Sequence, residues 1–421
     1  MEASDDACEI ATSAVVDPTE DLGVEIRPLG AGDLPALAEH LINPHDWTHG
    51  DELDAQTRDE LSVLVAWNGP TPVGRVRIRW AGPRSTEIAR HLSMPEILGL
   101  EVIPSFESRG IGSALLQSAE ALALERGHRT VGLGVGLENT RARGLYRRHG
   151  YTDSELGTYS EETRLGPSIV RPARIRETCH FWLKQLPEPR LVLFDIDGTL
   201  LTSQGAGREA MESAGRSLFG PEFSFGAVEV NGRLDPLIWH DLARANGLGP
   251  SPELEQTFRA RYREHLELRL QTPRVVRCLP GVLALITRLR RQVGVTLGIL
   301  SGNYPETGRL KLRAGGLDPD LFQICAWGDD GPSRPSLVEI ARARYAKHSP
   351  HPLASDRIIV IGDTPHDVSC ALTNGCRALA VATGHSSLEE LVAAGAHRVE
   401  ASLATVESLT AWIVGASNDP S

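Results

Sequence analysis

Two carboxylates, separated by a single residue, follow a short apolar segment near the middle of this 421-residue chain. Residues 191–194 (LVLF) precede Asp195 and Asp197, and Gly198-Thr199 then turn the chain away. Four apolar residues bounded by Pro189 and Gly198 are too few for a helix, so they predict a strand buried on both faces. An aspartate is ionised at neutral pH and can attack without a base. Mg²⁺ and a nearby cation would remove its repulsion from an anionic substrate. The alternative interpretation is an acidic turn that caps the strand.

Two further predicted strands end in polar residues. Ser301-Gly302-Asn303 follow the apolar segment 295–300, and Asp363 and Asp367 follow the segment 358–361. Strands alternate with helices from Arg190 onward, which predicts an α/β unit with a parallel sheet. Ligands of such sheets bind beyond the carboxyl ends of the strands. We therefore expect the three polar segments to form one site.

This combination resembles the haloacid dehalogenase-like hydrolases over residues 190–416, in particular phosphatases of the phosphoglycolate-phosphatase type. The resemblance implies a Rossmann-like parallel sheet with a helical cap inserted at about residues 203–279. It implies Asp195 as the nucleophile that forms an aspartyl-phosphate, and Asp197 as the acid that protonates the leaving group and later activates water. It implies Mg²⁺ held by Asp195, the backbone carbonyl of Asp197 and Asp363, with Asp367 in support. The residues that it implies for phosphate binding are Thr199, Ser301, Gly302 and Asn303.

The cation that completes this site has two candidates. The family uses a lysine, often in a Lys-Pro pair, and Arg334-Pro335 occupies that place here. Lys311 lies on the predicted helix after Asn303 and has the expected ammonium chemistry, although it could also be a solvated helix residue. Arginine is no simple substitute for lysine, because its planar fork makes different contacts. In the cap, Arg233 could contact a phosphate or carboxylate, or lie in a surface turn.

A second constellation lies in the N-terminal half of the chain. The segment 97–103 predicts a strand, and Glu107-Ser108-Arg109-Gly110-Ile111-Gly112-Ser113 opens an amphipathic helix behind it. Two glycines at a helix N-terminus let backbone N–H groups approach a diphosphate. The segment resembles the acyl-CoA loop of the GNAT acetyltransferases, and Asn139-x-x-Ala142-x-x-Leu145-Tyr146 resembles the next motif of that family. The resemblance covers residues 23–187 and implies an α+β fold with a mixed sheet.

The resemblance to GNAT enzymes implies acetyl-CoA as the acyl donor and an amine as the acceptor. Tyr146 would protonate the departing thiolate, and Glu96 is placed where some members keep a general base, although it could be a surface carboxylate. Glu107 replaces the usual Gln or Arg and would repel a pyrophosphate unless it points away. The residues implied for cofactor binding are Leu100, Val102, Arg109, Gly110, Ile111, Gly112, Ser113 and Asn139.

Composition limits the remaining possibilities. The net charge of −12 and pI near 5.6 argue against nucleic-acid or membrane-surface partners. Six scattered cysteines without a CxxC pair suit reduced thiols in the cytoplasm, and no apolar run is long enough to cross a bilayer. Residues 1–22 are acidic and predict a disordered tail. Pro187 and Pro189 mark the linker between the two predicted domains.

The preferred hypothesis is therefore a bifunctional cytoplasmic enzyme, with an N-acetyltransferase fused to a Mg²⁺-dependent phosphatase that acts on a small phosphorylated metabolite. The alternative hypothesis makes the N-terminal domain a non-catalytic module that binds acyl-CoA and regulates the phosphatase. Neither substrate nor the oligomeric state follows from the sequence.

Overall fold

The computed structural model describes residues 23–41, 48–164, 174–272 and 274–415. The chain divides into two compact units between Glu188 and Pro189. The predicted acidic tail lies outside the described residues. None of the helices in the described ranges is long and apolar enough to span a membrane.

The first unit contains a seven-stranded sheet in the order β1-β2-β3-β4-β5-β7-β6, in which β4 and β5 are parallel and the other neighbours antiparallel. This mixed sheet confirms the predicted fold class. The strands are β1 Glu25–Pro28, β2 Leu61–Asn68, β3 Thr71–Arg79, β4 Glu96–Val102, β5 Thr130–Gly136, β6 Thr152–Arg164 and β7 Arg174–Gln185. The helices are α1 Leu34–His40, α2 His49–Thr57, α3 Thr86–Ala89, α4 Ile111–Glu125 and α5 Thr140–Arg148.

The end of this sheet differs from the sequence-based expectation. In sequence, residues 181–184 (FWLK) predict the closing strand of this domain, whereas β7 starts at Arg174 and lies between β5 and β6. The edge strand β6 was not predicted at all. Its sequence is mostly polar and most of its described side chains are exposed, so it lacks the alternating pattern that marks a half-buried strand.

The second unit contains a six-stranded, fully parallel sheet in the order β12-β11-β8-β13-β14-β15, which confirms the predicted parallel architecture. Its strands are β8 Arg190–Phe194, β11 Val295–Leu300, β12 Ile324–Ala326, β13 Ile358–Gly362, β14 Arg377–Val381 and β15 Arg398–Glu400, and β9 Leu201–Thr202 pairs separately with β10 Arg277–Cys278. Helices α6 Ala206–Phe219, α7 Asp235–Ala245 and α8 Pro252–Leu270 lie between β9 and β10 and form a helical cap. The remaining helices are α9 Val282–Arg290, α10 Pro305–Ala314, α11 Arg334–His348, α12 Pro365–Thr373, α13 Leu388–Ala393 and α14 Val406–Val414.

Strand β8 lies in the interior of this sheet, between β11 and β13, and every residue in it is buried. Val192 and Phe194 pack on one side of the sheet, and Leu191 and Leu193 pack in a separate cluster on the other. The cap has its own apolar cluster around Trp239 and Phe258, whose rings stack with centroids 4.1 Å apart. Because β8 is packed on both faces, its end is held in a fixed position, and Asp195 is the next residue.

Candidate active sites

The carboxyl ends of three adjacent strands meet in the second unit. β8 lies between β11 and β13, so Asp195 lies between Ser301, which follows β11, and Asp363, which follows β13. All three side chains are buried. The strand order therefore brings the predicted hydrolase residues to one edge of the sheet.

Asp195, Asp363 and Asp367 form an acidic cluster, in which one carboxylate oxygen from each lies within 4.8 Å of the others. Burial, and then repulsion from Asp195 and Asp367, raises the pKa of Asp363 to about 8. Burial and the neighbouring Asp367 likewise raise the pKa of Asp195 to about 6, against the attraction of Arg334. Three buried carboxylates thus share one guanidinium, which leaves the acidic cluster short of positive charge.

The backbone around Asp363 leaves no room for other side chains. A Cβ atom at Gly198 or at Gly384 would overlap the Asp363 carboxylate. Thr199 donates a hydrogen bond to Asp363 Oδ1 at 3.0 Å and holds this carboxylate in place. A compact set of fixed carboxylate oxygens is the donor chemistry that Mg²⁺ prefers, so the residues present fit that ion. Gly384 follows the parallel strand β14, and the rule that ligands bind beyond strand ends could have found it.

Asp197 lies among different partners. Its Oδ2 accepts from Lys311 Nζ at 2.5 Å and from Asn303 Nδ2 at 3.0 Å, and its Oδ1 accepts from the Ser203 hydroxyl at 3.0 Å. Burial alone would raise the pKa of Asp197, but the Lys311 ammonium and these hydrogen bonds outweigh it and hold the pKa below its usual value. Its side chain therefore does not join the acidic cluster. Ser203 was not recognised from the sequence.

The two candidate cations both reach the site and contact different acids. Lys311 is 4% exposed, so it is not a solvated helix residue, and its Nζ also lies 2.6 Å from Asn303 Oδ1. Arg334 Nη2 lies 2.5 Å from Asp367 and 3.1 Å from Asp195. Among the described residues, no acceptor contacts the buried Nε of Arg334. A buried donor beside Asp195 suits a phosphoryl oxygen.

Cap residues close over this edge. The guanidinium of Arg233 pairs with Asp241 at 2.6 Å within the cap, while its carbonyl packs so closely on Gly302 that a Cβ there would overlap it. Asp235, at the start of α7, accepts the backbone N–H of Tyr304 at 2.9 Å, and its own N–H donates to Gly302. Burial raises the pKa of Asp235 to about 7. In sequence alone, this buried carboxyl cannot be distinguished from an ordinary acidic residue in the first turn of a helix.

In the first unit, the parallel strands β4 and β5 share a single paired position, and the end of β4 lies close to the N-terminus of α4, where a Cβ at Gly112 would lie 3.8 Å from Val102. β4 and β5 pair only at Glu96 and Gly132, although each strand has seven residues. β4 carries Leu100 and Val102 beyond this pair, and α4 starts at Ile111 after the left-handed Gly110. The N–H groups of Ile111, Gly112 and Ser113 belong to the first turn of α4 and have no intrahelical acceptor. Free N–H groups at a helix N-terminus are suited to binding an anion.

The side chains around that turn have mixed roles. Glu107 pairs with Arg141, so its charge is balanced, and Arg109 stacks on Phe106 at 4.8 Å. Asn139 Oδ1 accepts the N–H of Ala142 at 3.0 Å and caps α5. The hydroxyl of Ser113 lies 2.9 Å from a ring nitrogen of His149, a neighbour that was not recognised from the sequence.

Tyr146 and Glu96 both have perturbed acidities. Burial raises the pKa of Tyr146, on α5, to about 12, so its hydroxyl keeps its proton at neutral pH. Glu96 is 2% exposed and is therefore no surface carboxylate, and its Oε2 accepts the N–H of Arg84 at 2.6 Å. Burial raises the pKa of Glu96 to about 7. One group can thus donate a proton and the other can accept one near neutral pH.

Comparisons with known proteins match each of the two units to a different family. Residues 34–151 match the acetyltransferase (GNAT) family, and residues 192–372 match the haloacid dehalogenase-like hydrolases. The tyrosine-protein kinase PtkA of Mycobacterium tuberculosis is 31% identical over 201 residues, covering 47% of this chain and 63% of PtkA. The uncharacterized N-acetyltransferase MJ1207 of Methanocaldococcus jannaschii is 44% identical over 102 residues, covering 24% of this chain and 42% of MJ1207.

A phosphoglycolate phosphatase of Vibrio cholerae is 26% identical over 207 residues, which cover 48% of this chain and 88% of the phosphatase. The chain thus spans less than two thirds of the length of the kinase and of the N-acetyltransferase, but most of the phosphatase. The predicted resemblances are confirmed: the chain joins a domain of the GNAT acetyltransferase family to a domain of the haloacid dehalogenase-like hydrolase family.

Proposed function

We propose that the second unit hydrolyses a small phosphate monoester through a phosphorylated Asp195. The observation that carries this proposal is the different surroundings of the two aspartates. Asp195 belongs to the acidic cluster, whereas Asp197 is paired with Lys311. Asp195 lies at the end of a fully buried strand beside the guanidinium of Arg334. Mg²⁺ held by Asp195, the carbonyl of Asp197 and Asp363, with Asp367 in support, would neutralise the phosphate charge that otherwise repels the nucleophile.

Different residues of this chain would carry out the individual steps of hydrolysis. The Asp195 carboxylate attacks phosphorus while Arg334, Ser301 and the N–H groups near Asn303 hold the phosphoryl oxygens. Asp197 gives a proton to the leaving oxygen and later takes one from the water that hydrolyses the acyl phosphate. Lys311 holds Asp197 in place. Since Lys311 also lowers the pKa of that acid, entry of the anionic substrate between them would raise it again and make proton donation easier.

The experiment for this proposal is a phosphate-release screen of small phosphate esters, with the full-length protein and Mg²⁺. We expect Asp195→Asn to abolish release and to prevent acid-stable labelling of the protein by a ³²P-labelled substrate. Asp241→Asn serves as a matched carboxylate control, because the ion pairs of Asp241 within the described residues are with Arg233 and His240 on the cap. Release by Asp195→Asn at close to the wild-type rate would exclude the aspartyl-phosphate.

A second reaction for this unit is transfer of the phosphoryl group to a tyrosine, as the name of the PtkA relative states for that protein. The ion pair between Asp197 and Lys311 favours considering it, because an acid held ionised is poorly prepared to protonate the leaving group of an ester but can still accept the proton of a hydroxyl acceptor. Incubation with labelled ATP and tyrosine-containing peptides separates the two reactions. Labelled peptide would support transfer, and free phosphate without labelled peptide would support hydrolysis.

For the first unit we propose acetyl transfer from acetyl-CoA to an amine. The free N–H groups of the α4 N-terminus would hold the pyrophosphate, and the unpaired part of β4 at Leu100 and Val102 would bind the pantetheine arm. Glu96 would take a proton from the amine, and Tyr146 would give one to the departing thiolate. The pairing of Glu107 with Arg141 removes the charge conflict that favoured a non-catalytic module. Calorimetry with acetyl-CoA, followed by thiol release with an amine panel, tests binding and turnover separately.

A further inference from the structure

One face of β5 has almost no side chains of its own. The strand reads Thr-Val-Gly-Leu-Gly-Val-Gly, and its residues point alternately to the two faces of the sheet. Gly132, Gly134 and Gly136 therefore share one face, while the valines and Leu133 lie in the core on the other. Side chains from β4, β6 and β7 reach over this glycine face instead.

Three carboxylates converge on the glycine face. Glu96 is paired with Gly132 across the β4–β5 ladder. A Cβ at Gly136 would overlap the carboxylate of Glu177, and a Cβ at Gly134 would lie 3.6 Å from Glu161 Oε2. Glu161 and Glu177 are also direct neighbours across the β6–β7 ladder. Like charges directly opposite each other destabilise a sheet, so this arrangement calls for a compensating cation.

The protein itself supplies only part of the positive charge that would balance these carboxylates. Arg84 pairs with Glu161 and its backbone N–H contacts Glu96. Arg79, the register partner of Glu96, donates to the carbonyl of Gly82 at 2.5 Å. Within the described ranges, neither Glu96 nor Glu177 forms a salt bridge. Three carboxylates against the two guanidiniums of Arg84 and Arg79, which both act on Glu96, leave an excess of negative charge on this face.

A buried hydroxyl points to the same place. Tyr159 is 4% exposed, and its oxygen lies over Gly134, where an added Cβ would overlap it. This hydroxyl has no hydrogen-bond partner among the residues that the structure describes. Leaving a buried polar group unpaired is costly. An N–H donor placed between Tyr159, Glu161 and Glu177 would satisfy the hydroxyl and both carboxylates.

We propose that the glycine face binds the acceptor of acetyl transfer, and that the acceptor is a diamine or polyamine. The inference rests on the acetyltransferase function proposed above and adds its substrate class. The second ammonium group of the acceptor lies between Glu161 and Glu177 and donates to Tyr159, while the reacting amine faces Glu96. The neutral amine nitrogen attacks the thioester carbon and the carbon–sulfur bond breaks. Glu96 takes the proton from nitrogen, and the thiolate receives one from Tyr146.

The experiment compares three acceptors of equal chain length with the full-length protein and acetyl-CoA: 1,5-diaminopentane, pentylamine and 5-aminopentanoate. We expect kcat/KM to fall in that order, with the diamine at least about tenfold ahead of pentylamine, because charged hydrogen bonds contribute more than a tenfold factor in affinity. Preference for pentylamine or the amino acid would overturn the substrate class and leave acetyl transfer intact. Failure of acetyl-CoA to bind, or of any amine to react, would remove the proposed function and this inference together.

Two variants locate the second ammonium. Glu177→Gln keeps the shape of the side chain and removes one of two opposed charges, so the melting temperature should not fall, while KM for the diamine should rise about tenfold and KM for pentylamine should stay. Glu25→Gln, an exposed carboxylate on the opposite edge strand, is the matched control and should change neither. Equal effects of Glu177→Gln on both acceptors would show that the ammonium does not lie there.

Tyr159→Phe separates a ligand role from a structural one. Because the hydroxyl is unpaired in the free protein, its removal should leave the melting temperature unchanged or higher. It should still raise KM for the diamine more than for pentylamine, with little change in acetyl-CoA affinity. A fall in melting temperature with unchanged KM would mean that the hydroxyl serves the fold and not the acceptor.

Discussion

Arg334→Met should destabilise the second unit more than the loss of any exposed ion pair. Arg334 is 7% exposed and contacts two members of the acidic cluster, Asp367 at 2.5 Å and Asp195 at 3.1 Å. Methionine keeps much of the apolar stem of the side chain but removes the charge. Three buried carboxylates would then face one another with no guanidinium between them.

The expected loss of stability follows from the buried carboxylates that remain without their cation. Removing one partner of a buried ion pair costs about 3–5 kcal/mol, because the other charge stays buried and unpaired. The loss should depend on pH. The pKa values of Asp195 and Asp363 are already raised in the folded protein, to about 6 and about 8. The folded state therefore binds more protons than the unfolded one, and its stability falls as pH rises from about 4 toward 8. The variant should be least stable near pH 8 and closest to the wild type near pH 5.

Amide hydrogen exchange in β13 is the suitable assay, because it reports on the second unit alone in the full-length protein. A loss of 3 kcal/mol corresponds to more than 100-fold faster exchange, at about 1.4 kcal/mol per factor of ten. Arg309→Met removes an exposed pair with Asp320 at 3.4 Å and should cost about 1 kcal/mol or less. Mg²⁺ at 100 times its dissociation constant should restore about 2.7 kcal/mol.

Two results would refute this reasoning. If Arg334→Met exchanged no faster than Arg309→Met, the guanidinium would not be what holds the acidic cluster together. If Mg²⁺ gave no protection to either protein, the three carboxylates would not bind that ion, and the assignment of Asp195 and Asp363 as its ligands would be wrong.

Three further predictions concern turnover. Lys311→Met should lower phosphate release by on the order of 10²-fold at saturating Mg²⁺, measured against wild type with the same ester, and an unchanged rate would remove it from the site. Tyr146→Phe should lower kcat for acetyl transfer by roughly 10²–10⁴-fold with unchanged acetyl-CoA affinity, and a change in affinity alone would mean that it only positions the donor. Because the pKa of Glu96 is raised to about 7 and a base must be ionised, kcat should rise through pH 7 and level off above it. Glu96→Gln should abolish that rise, and a wild-type profile that is flat from pH 6 to 8 would contradict the assignment.

The centre of the parallel sheet could be predicted from sequence because burial on both faces leaves a clear signal. Residues 191–194 are a continuous apolar run and residues 295–300 are mostly apolar, and each segment ends at a polar residue that the parallel sheet brings to the same edge. The edges could not be predicted in the same way. β12 and β15 have three residues each, and β6 is a polar edge strand. Short or solvated strands are defined by their neighbours in the sheet, and such pairing over long sequence distances leaves no local pattern.

The role of each cation also required the structure. From the sequence, Lys311 and Arg334 competed for one position, since both are basic and both follow the predicted nucleophile. In the folded unit, α10 carries Lys311 to Asp197, while the first residue of α11 is Arg334, which reaches Asp195. Both cations therefore lie in the site, Lys311 beside Asp197 and Arg334 beside Asp195 and Asp367. The pKa of Asp197 falls and that of Asp195 rises, a difference set by burial and charge that the spacing of two residues in the sequence could not show.

The buried carboxyl of Asp235 in the cap is a second group whose surroundings could not be predicted from sequence. In sequence it is an acidic residue at the start of a helix, where a negative charge is ordinary. In the structure it contacts Tyr304 and Gly302, which follow β11 and belong to the loop that also carries Ser301 and Asn303. The cap is thus hydrogen-bonded to the loop proposed to bind phosphate. Any movement of the cap relative to this loop must therefore break these bonds or carry the loop with it.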